Sequence, residues 1–536
     1  MKLKLHTLLA YIAFDELITQ SEVWARNLQR QVLGYSSEAI SRRIIQRAVE
    51  IGCYPFTGYF FKNAELSNGK VVSDTHSFSG LTIFERSGRL SLSLRLRLTL
   101  VYGFIKYYVY IYYRVTRNFI CGRKFKEGSA TLLFGAESFA DGVEERFSEY
   151  LSEGPISPLV TASRIIVENK STALKDKESE RLQFDKFPLI RLLEDNAITF
   201  EEYLFFCGQH FFSGGVFLLN AICFSEMAFL GRDFAFQALV EHLNKFSLIE
   251  NIVLTNSFFS SQPLWMMDYK DRHYRTHMVW YAQNVRPIAY KADGIQSDFP
   301  HYRHLHCDEH WVWTEEFRDY LTSIDVNSKI HIVGPILFYL CPPKLNLQRR
   351  FDREEVLISL FDVTPVRNEI RIKNGLGDYY CTKNMTLFLT EIVEVMNFLK
   401  TVLNINFRII LKTKRAYAPV HDPKYLDFLE DLEQKGLIEL LLYNENLYSL
   451  ISNSDVVIAP PYSSPVLIGH KLGVPSIFFD PTQDVASVFS NKANVFFASG
   501  RQELVGLIRE SITRKLAKQR MSDRSVTNDS YRKTTC

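Results

Sequence analysis

The residues Pro461-Tyr462-Ser463-Ser464-Pro465 lie between two apolar runs and have the makings of an anion site. Upstream, Val456-Val457-Ile458 reads as a buried strand, and Pro460-Pro461 ends it because proline brings no N–H to a ladder. Serine is a favoured N-cap and proline a favoured residue of the first helical turn, so a helix is predicted over 464–472. Gly473 then leads into a predicted strand over 475–479. Hydroxyls and unpaired N–H groups at a helix start suit a phosphate. The same residues also suit a plain N-cap that binds nothing.

A second cluster is basic. Ten Lys and Arg residues, and no acid, stand between Arg86 and Lys126. The whole chain has 63 basic and 60 acidic residues, so outside that segment 53 bases face 60 acids. Leu98 to Tyr113 is an aromatic, apolar run interrupted by Lys106, shorter than the ~20 apolar residues that a spanning helix needs. Arg95, Lys106 and Arg117 recur at intervals of about three helical turns and so share one side. Tyrosines with cationic flanks predict an interfacial amphipathic helix on an anionic membrane surface. The alternatives are a helix packed inside the protein and a nucleic-acid patch. No recognisable nucleic-acid module accompanies the charge, so nucleic acid is not an expected partner.

Short strands alternating with helices must position these segments. Strands are predicted at 130–134, 164–168, 251–255, 278–281, 310–313 and 329–333, with a helix-rich stretch over 190–248. Beyond a linker at 342–354, strands at 356–361, 407–412, 437–442 and 455–459 alternate with helices near 386–402, 423–435 and 445–452. That order predicts an α/β protein with parallel sheets. The expected organisation is a helical N-terminal region over 1–126, Rossmann-like domains over 127–345 and 346–512, and a disordered tail over 513–536. At 46% hydrophobic and 23% charged, the composition is that of a globular protein with a substantial core. Eight scattered cysteines without a C-x-x-C pair argue against a zinc ribbon and a disulfide framework. The N-terminus carries no recognisable signal peptide, and a reducing cytoplasm is the expected compartment.

Read with its flanks, Pro461-Tyr462-Ser463-Ser464 resembles the Pro-Phe-Thr-Ser signature of a family of bacterial surface-polysaccharide biosynthesis proteins, GT-B-type glycosyltransferases. The resemblance also runs through Ile358-Ser359-Leu360-Phe361-Asp362-Val363-Thr364-Pro365 and Ile409 to Arg415. It takes in Thr276-His277-Met278-Val279-Trp280-Tyr281-Ala282-Gln283-Asn284 and His331 to Pro335 as well. It spans roughly residues 250 to 485 and includes none of the first 120. It implies a GT-B-like fold, two Rossmann-like α/β domains facing a cleft, with the N-terminal domain on the acceptor side and the C-terminal domain binding a nucleotide-sugar. No D-x-D occurs in the chain, which suits a metal-independent GT-B enzyme.

Under that resemblance, Lys412, Lys414 and Arg415 at a strand's carboxyl end join Tyr462, Ser463 and Ser464 in gripping the donor phosphate. A solvated basic loop is the other reading of the three cations. Asp480 is placed either on donor hydroxyls or in a turn before Pro481, and Asp362 either faces the cleft or makes an Asx turn. A catalytic base or nucleophile is expected from Glu137, Asp293 or His277, none of which matches a catalytic motif. The implied reaction is sugar transfer from a nucleotide-sugar, CMP-linked sugars among the candidates, to a lipid-linked glycan during lipopolysaccharide or capsule synthesis. The nucleotide-sugar is a co-substrate, and no cofactor is expected. The implied location is the cytoplasm, peripheral on the inner membrane. Two alternatives stand beside it: a polyol-phosphate transferase of wall or capsule polymers, and a non-catalytic GT-B scaffold in a polysaccharide assembly complex.

Overall fold

A computed structural model describes residues 21–29, 35–50, 76–78, 81–86, 89–92, 94–121, 128–135, 154–160, 164–168, 182–196, 198–255, 262–267, 272–283, 286–292, 302, 304–324, 326–336, 355–367, 379–414, 416–443, 445–489 and 492–514. The expectations for Glu137, Asp293, Arg415, the 342–354 linker and the tail beyond 514 lie outside the described residues. The chain forms two compact units. The first comprises Met1–Ala282, Phe299–Cys341 and Ile372–Gly375, and the second Gln283–Asp298, Pro342–Arg371 and Leu376–Cys536.

After a helical stretch over 21–28, the first unit has helix α1 (Ser37–Glu50) and an antiparallel sheet of β1 (His76–Phe78), β2 (Leu81–Arg86) and β3 (Arg89–Leu92). The basic aromatic run then lies within one long helix, α2 (Leu94–Cys121). The main sheet takes β4 (Ala130–Phe134), β5 (Arg164–Glu168), β6 (Leu182–Asp185), β7 (Ile249–Thr255), β8 (Arg275–Val279), β9 (Glu309–Val312) and β10 (Lys329–Ile332). All its pairings are parallel, in the order β10-β9-β8-β7-β4-β5-β6. Burial on both faces explains why β4 and β5 read as continuous apolar runs and not as alternating ones.

Between β6 and β7 come α3 (Pro188–Glu194), α4 (Phe200–Cys223) and α5 (Gly231–Lys245), and α6 (Glu315–Ser323) follows β9. A capping box starts α4: Thr199 accepts from the Glu202 N–H while Glu202 accepts from the Thr199 N–H. Arg43 of α1 pairs with Asp233 of α5 at 2.9 Å, both buried, which ties the N-terminal helix to this unit. Helices α2 and α4 run antiparallel, with Phe104 against Phe217, Tyr108 stacked on His210 and Phe119 stacked on Tyr203. A Cβ on Gly214 would lie 2.5 Å from the Tyr108 ring, so glycine permits this close approach.

The second unit alternates β11 (Glu355–Phe361), α7 (Thr382–Leu403), β12 (Asn406–Lys412), α8 (Pro423–Gln434), β13 (Glu439–Leu441), α9 (Leu447–Asn453), β14 (Val456–Ala459), α10 (Ser464–Lys471), β15 (Ser476–Asp480) and β16 (Val495–Ser499). A helix over 501–514 follows. The order β13-β12-β11-β14-β15-β16 is again wholly parallel, and its direction reverses between β11 and β14. In an open parallel sheet the ligand crevice lies beyond the carboxyl ends of the strands at that reversal. Here those ends are Asp362 after β11 and Pro460 after β14, so the topology brings the Pro461-Tyr462-Ser463-Ser464 turn to the switch point.

Candidate functional site

The turn is built around an uncommon backbone. Tyr462 has φ +62, the left-handed region that a bulky residue enters at a cost of about 1–3 kcal/mol. Its surroundings hold it there. The side chain is fully buried, its hydroxyl donates to the Ala486 carbonyl at 2.7 Å, and Arg286 lies 4.8 Å over the ring. The Ser463 N–H returns to the Pro460 carbonyl at 3.2 Å, and Ser463 becomes the N-cap residue of α10.

The Ser463 hydroxyl nonetheless caps nothing. The residue is 3% exposed and its Oγ has no hydrogen-bond partner. Ser464 is engaged, its Oγ accepting from the Gln283 N–H at 3.0 Å. That bond brings Gln283 to the helix start, where it is wholly buried and neither its amide oxygen nor its amide nitrogen has a partner. The first-turn N–H groups of any helix also lack intrahelical acceptors. A buried polar atom left unsatisfied costs about 1–3 kcal/mol, so a cluster of them is stable only where something else compensates. A hydroxyl, an amide and first-turn N–H groups are donors chemically suited to phosphate oxygens.

Neighbouring loops fix this turn. Tyr380 donates to the Pro461 carbonyl at 2.7 Å. Asp480, fully buried, accepts from the Tyr379 hydroxyl at 2.7 Å, the Thr482 hydroxyl and N–H, and the Val485 N–H at 2.8 Å. Burial pushes the Tyr379 and Tyr380 hydroxyls far above their usual range, so both remain proton donors. The stretch holding Gln283 and Arg286 is tied down by a Tyr290–Val485 bridge, by Lys291 N–H to Asp484 carbonyl at 2.8 Å, and by Lys291 Nζ to Ser499 Oγ at 2.6 Å.

Other expected site residues have different settings. Lys412 ends β12, which β11 separates from β14, so it starts two strand spacings, about 10 Å, from the turn. Its buried ammonium donates to the Tyr443 carbonyl at 2.5 Å, and burial lowers its pKa. The Lys414 N–H donates to Asp362 at 2.9 Å, and the Tyr425 and Thr364 hydroxyls also donate to that buried carboxylate, so it ties together the loops after β11 and β12. Four internal donors fill Asp480, which leaves it fixing the turn before Val485. His277, on β8 of the first unit, is 3% exposed. Its Nε2 meets Asn251 at 3.1 Å, its Nδ1 lies 3.5 Å from Glu309, and burial pulls its pKa down to about 4. A buried cross-strand ring of this kind is set to hold the sheet together; a catalytic base needs access to substrate.

Gln283, Arg286, Tyr379 and Tyr380 were not among the expected site residues. The signal for Gln283 stood within the family-like stretch Tyr281-Ala282-Gln283-Asn284, which reads locally as the flank of a strand.

The fold is that of an α/β protein of two units, each built on a parallel sheet, with buried, unpartnered polar atoms of Ser463 and Gln283 at the switch point of the second sheet. A profile of the family described as polysaccharide biosynthesis PFTS motif protein matches residues 217–508, more than half of the chain. The chain belongs to that family. Among curated protein sequences, none matches it. Similar solved structures include a glycosyltransferase from Rickettsia africae ESF-5, with 12% identity, a TM-score of 0.38, and coverage of 72% of this chain and 89% of that one. The lipopolysaccharide outer core galactosyltransferase WaaB is another, at 9% identity and TM-score 0.37, covering 72% of this chain and 91% of its own. The UDP-GlcNAc 2-epimerase from Methanocaldococcus jannaschii shows 12% identity and a TM-score of 0.37, over 71% and 92% of the two chains.

Proposed function

We propose that the chain is a glycosyltransferase of bacterial surface-polysaccharide synthesis that holds the phosphate of a nucleotide-sugar at the start of α10. The observation that carries this reading is the group of unpartnered, buried polar atoms on Ser463 and Gln283 beside a helix N-terminus, within the family's signature turn. In the reaction, the Ser463 hydroxyl and the Gln283 amide donate to phosphate oxygens. The helix N-terminus offsets the negative charge that grows on the phosphate as the sugar leaves. The acceptor is a lipid-linked glycan of lipopolysaccharide or capsule, met at the cytoplasmic side of the inner membrane. A CMP-linked sugar is the donor to test first, because one hydroxyl, one amide and one helix start form a compact grip for a single phosphate.

Calorimetric titration of the full chain with CMP, CDP, UDP and GDP tests the reading, with Ser463→Ala and Gln283→Ala alongside. One nucleotide should bind the wild type and bind both variants at least about 10-fold more weakly, the loss expected for one hydrogen bond to a charged group. Equal affinity in all three proteins would overturn the assignment of the grip. Failure of every nucleotide to bind the wild type would overturn the donor reading itself.

A further inference from the structure

The first unit carries a surface unlike the outside of a water-soluble protein. Helix α4 is about 36 Å long, and among the described residues it is a helix long and apolar enough to cross a membrane. From Tyr203 to Cys223 it has no Asp, Glu, Lys or Arg. Its exposed positions in that stretch are filled only by Leu, Phe, Ile, Gly and Cys. Phe212 is 63% exposed, Leu219 69% and Ile222 77%. A water-facing helix normally turns polar residues outward, so about five turns without them mark an interaction surface.

The neighbouring helix shows what meets it. Along α2 the exposed residues Leu98, Tyr102, Ile105, Val109 and Tyr113 form one stripe, and Lys106 and Arg117 are exposed beside it. Cations without acids, tyrosines and an apolar stripe match the headgroup level of an anionic leaflet. A second copy of the same face would bring like charges together, since α2 offers no acid to pair with them.

We infer that the α2–α4 pair is a membrane-embedded face, with α4 sunk into the hydrocarbon of one leaflet and α2 at its phosphate level. The pair lies in the membrane plane and does not span it. Phe206, His210 and Phe217 of α4 are buried against the protein along the length of the helix, and mid-span exposure of Lys106 in hydrocarbon would be costly. This surface belongs to the first unit and would bind lipid even if the α10 site held no nucleotide.

The test uses the full chain with vesicles of phosphatidylcholine, alone or mixed with phosphatidylglycerol, and with acyl-brominated versions of both. Phe212→Trp should show emission strongly quenched by the brominated acyl chains. Phe212→Ser/Leu219→Ser/Ile222→Ser should co-sediment with mixed vesicles at least about 100-fold more weakly than wild type, from the apolar area withdrawn from lipid. Circular dichroism and the melting temperature of that variant should match wild type, because all three side chains are exposed. Lys106→Ala/Arg117→Ala should weaken binding to the mixed vesicles and leave binding to neutral ones unchanged. An unquenched Phe212→Trp, or a triple variant that still binds like wild type, would overturn the embedded face. So would a lipid-free dimer that the triple substitution dissolves, since a second copy would then be what covers α4.

Discussion

Replacing Ser463 with alanine separates a ligand-binding hydroxyl from a structural one. At an ordinary N-cap, Ser→Ala costs about 0.5–2 kcal/mol because the hydroxyl accepts a first-turn N–H. At Ser463 that bond is absent, and the residue is almost fully buried with Oγ unpartnered. Removing an unsatisfied buried hydroxyl relieves a desolvation cost of about 1–3 kcal/mol, less whatever is lost in local packing. Without ligand, Ser463→Ala is therefore expected to be as stable as wild type or up to about 1–2 kcal/mol more stable. For a unit of this size that is an increase of roughly 2–4 °C in Tm per kcal/mol. With a nucleotide-sugar the sign reverses. Loss of one hydrogen bond to a charged oxygen, about 1.5–3 kcal/mol, should weaken binding about 10- to 150-fold. Urea denaturation without ligand and calorimetric titration with it measure the two halves. A variant destabilised by 1 kcal/mol or more that binds nucleotide as tightly as wild type would show that the hydroxyl caps α10, and the reasoning would be refuted.

Three further expectations concern how the units are held. A Cβ on Gly469 of α10 would lie 2.0 Å from the Ser476 Oγ, which is itself buried and bonded to the Val474 carbonyl. Gly469→Ala should cost about 1–3 kcal/mol in a thermal melt, and adding Ser476→Gly should recover part of the loss; no recovery would place the strain elsewhere. Breaking the buried Arg43–Asp233 pair with Arg43→Ala should cost about 3–5 kcal/mol, and the double variant with Asp233→Ala less than the sum of the singles in urea denaturation. Burial lowers the His277 pKa from 6.5 to about 4 and that of His310 to about 3. The unfolded chain therefore binds more protons in that window, so stability should fall as pH drops from about 6.5 towards 4, and His277→Gln should flatten the slope; equal slopes would contradict the buried neutral ring.

Much of the alternation was legible because it rests on local chemistry. β-Branched and apolar runs bounded by proline, glycine or polar residues mark β4, β5, β11, β12 and β14, and the observed strands lie within a few residues of the expected ones. The small β1-β2-β3 sheet was not anticipated, because its stability depends on which strands pair, and register is written across the chain. β16 and the 501–514 helix lie beyond the alternation expected from the sequence, although Val495-Phe496-Phe497-Ala498 is an apolar strand run of the same kind. The basic aromatic run was expected on one helix carrying Arg95, Lys106 and Arg117 along one side. The folded α2 is 28 residues, since Arg114, Arg117 and Asn118 continue its helical pattern beyond the apolar stretch.

The site itself was half legible, and the division follows the sheet. Ser463 and Ser464 could be read because strand end, proline and cap are adjacent in sequence. Lys412 looked equally well placed, at the carboxyl end of a strand with cations following. Strand order, which a single sequence does not carry, separates it from β14 and directs its ammonium to the Tyr443 carbonyl. Gln283 and Arg286 are far from the turn in sequence and reach it only because the stretch after β8 belongs to the second unit. Under the proposed function, the groups nearest the phosphate are then the Ser463 hydroxyl, the Gln283 amide and the α10 N-terminus, whereas the expected clamp joined Lys412, Lys414 and Arg415 to Tyr462, Ser463 and Ser464. A neutral grip suits a reaction in which charge grows on the phosphate. Oriented amide and hydroxyl dipoles strengthen their hold as the sugar leaves, without binding the ground state so tightly that product release slows.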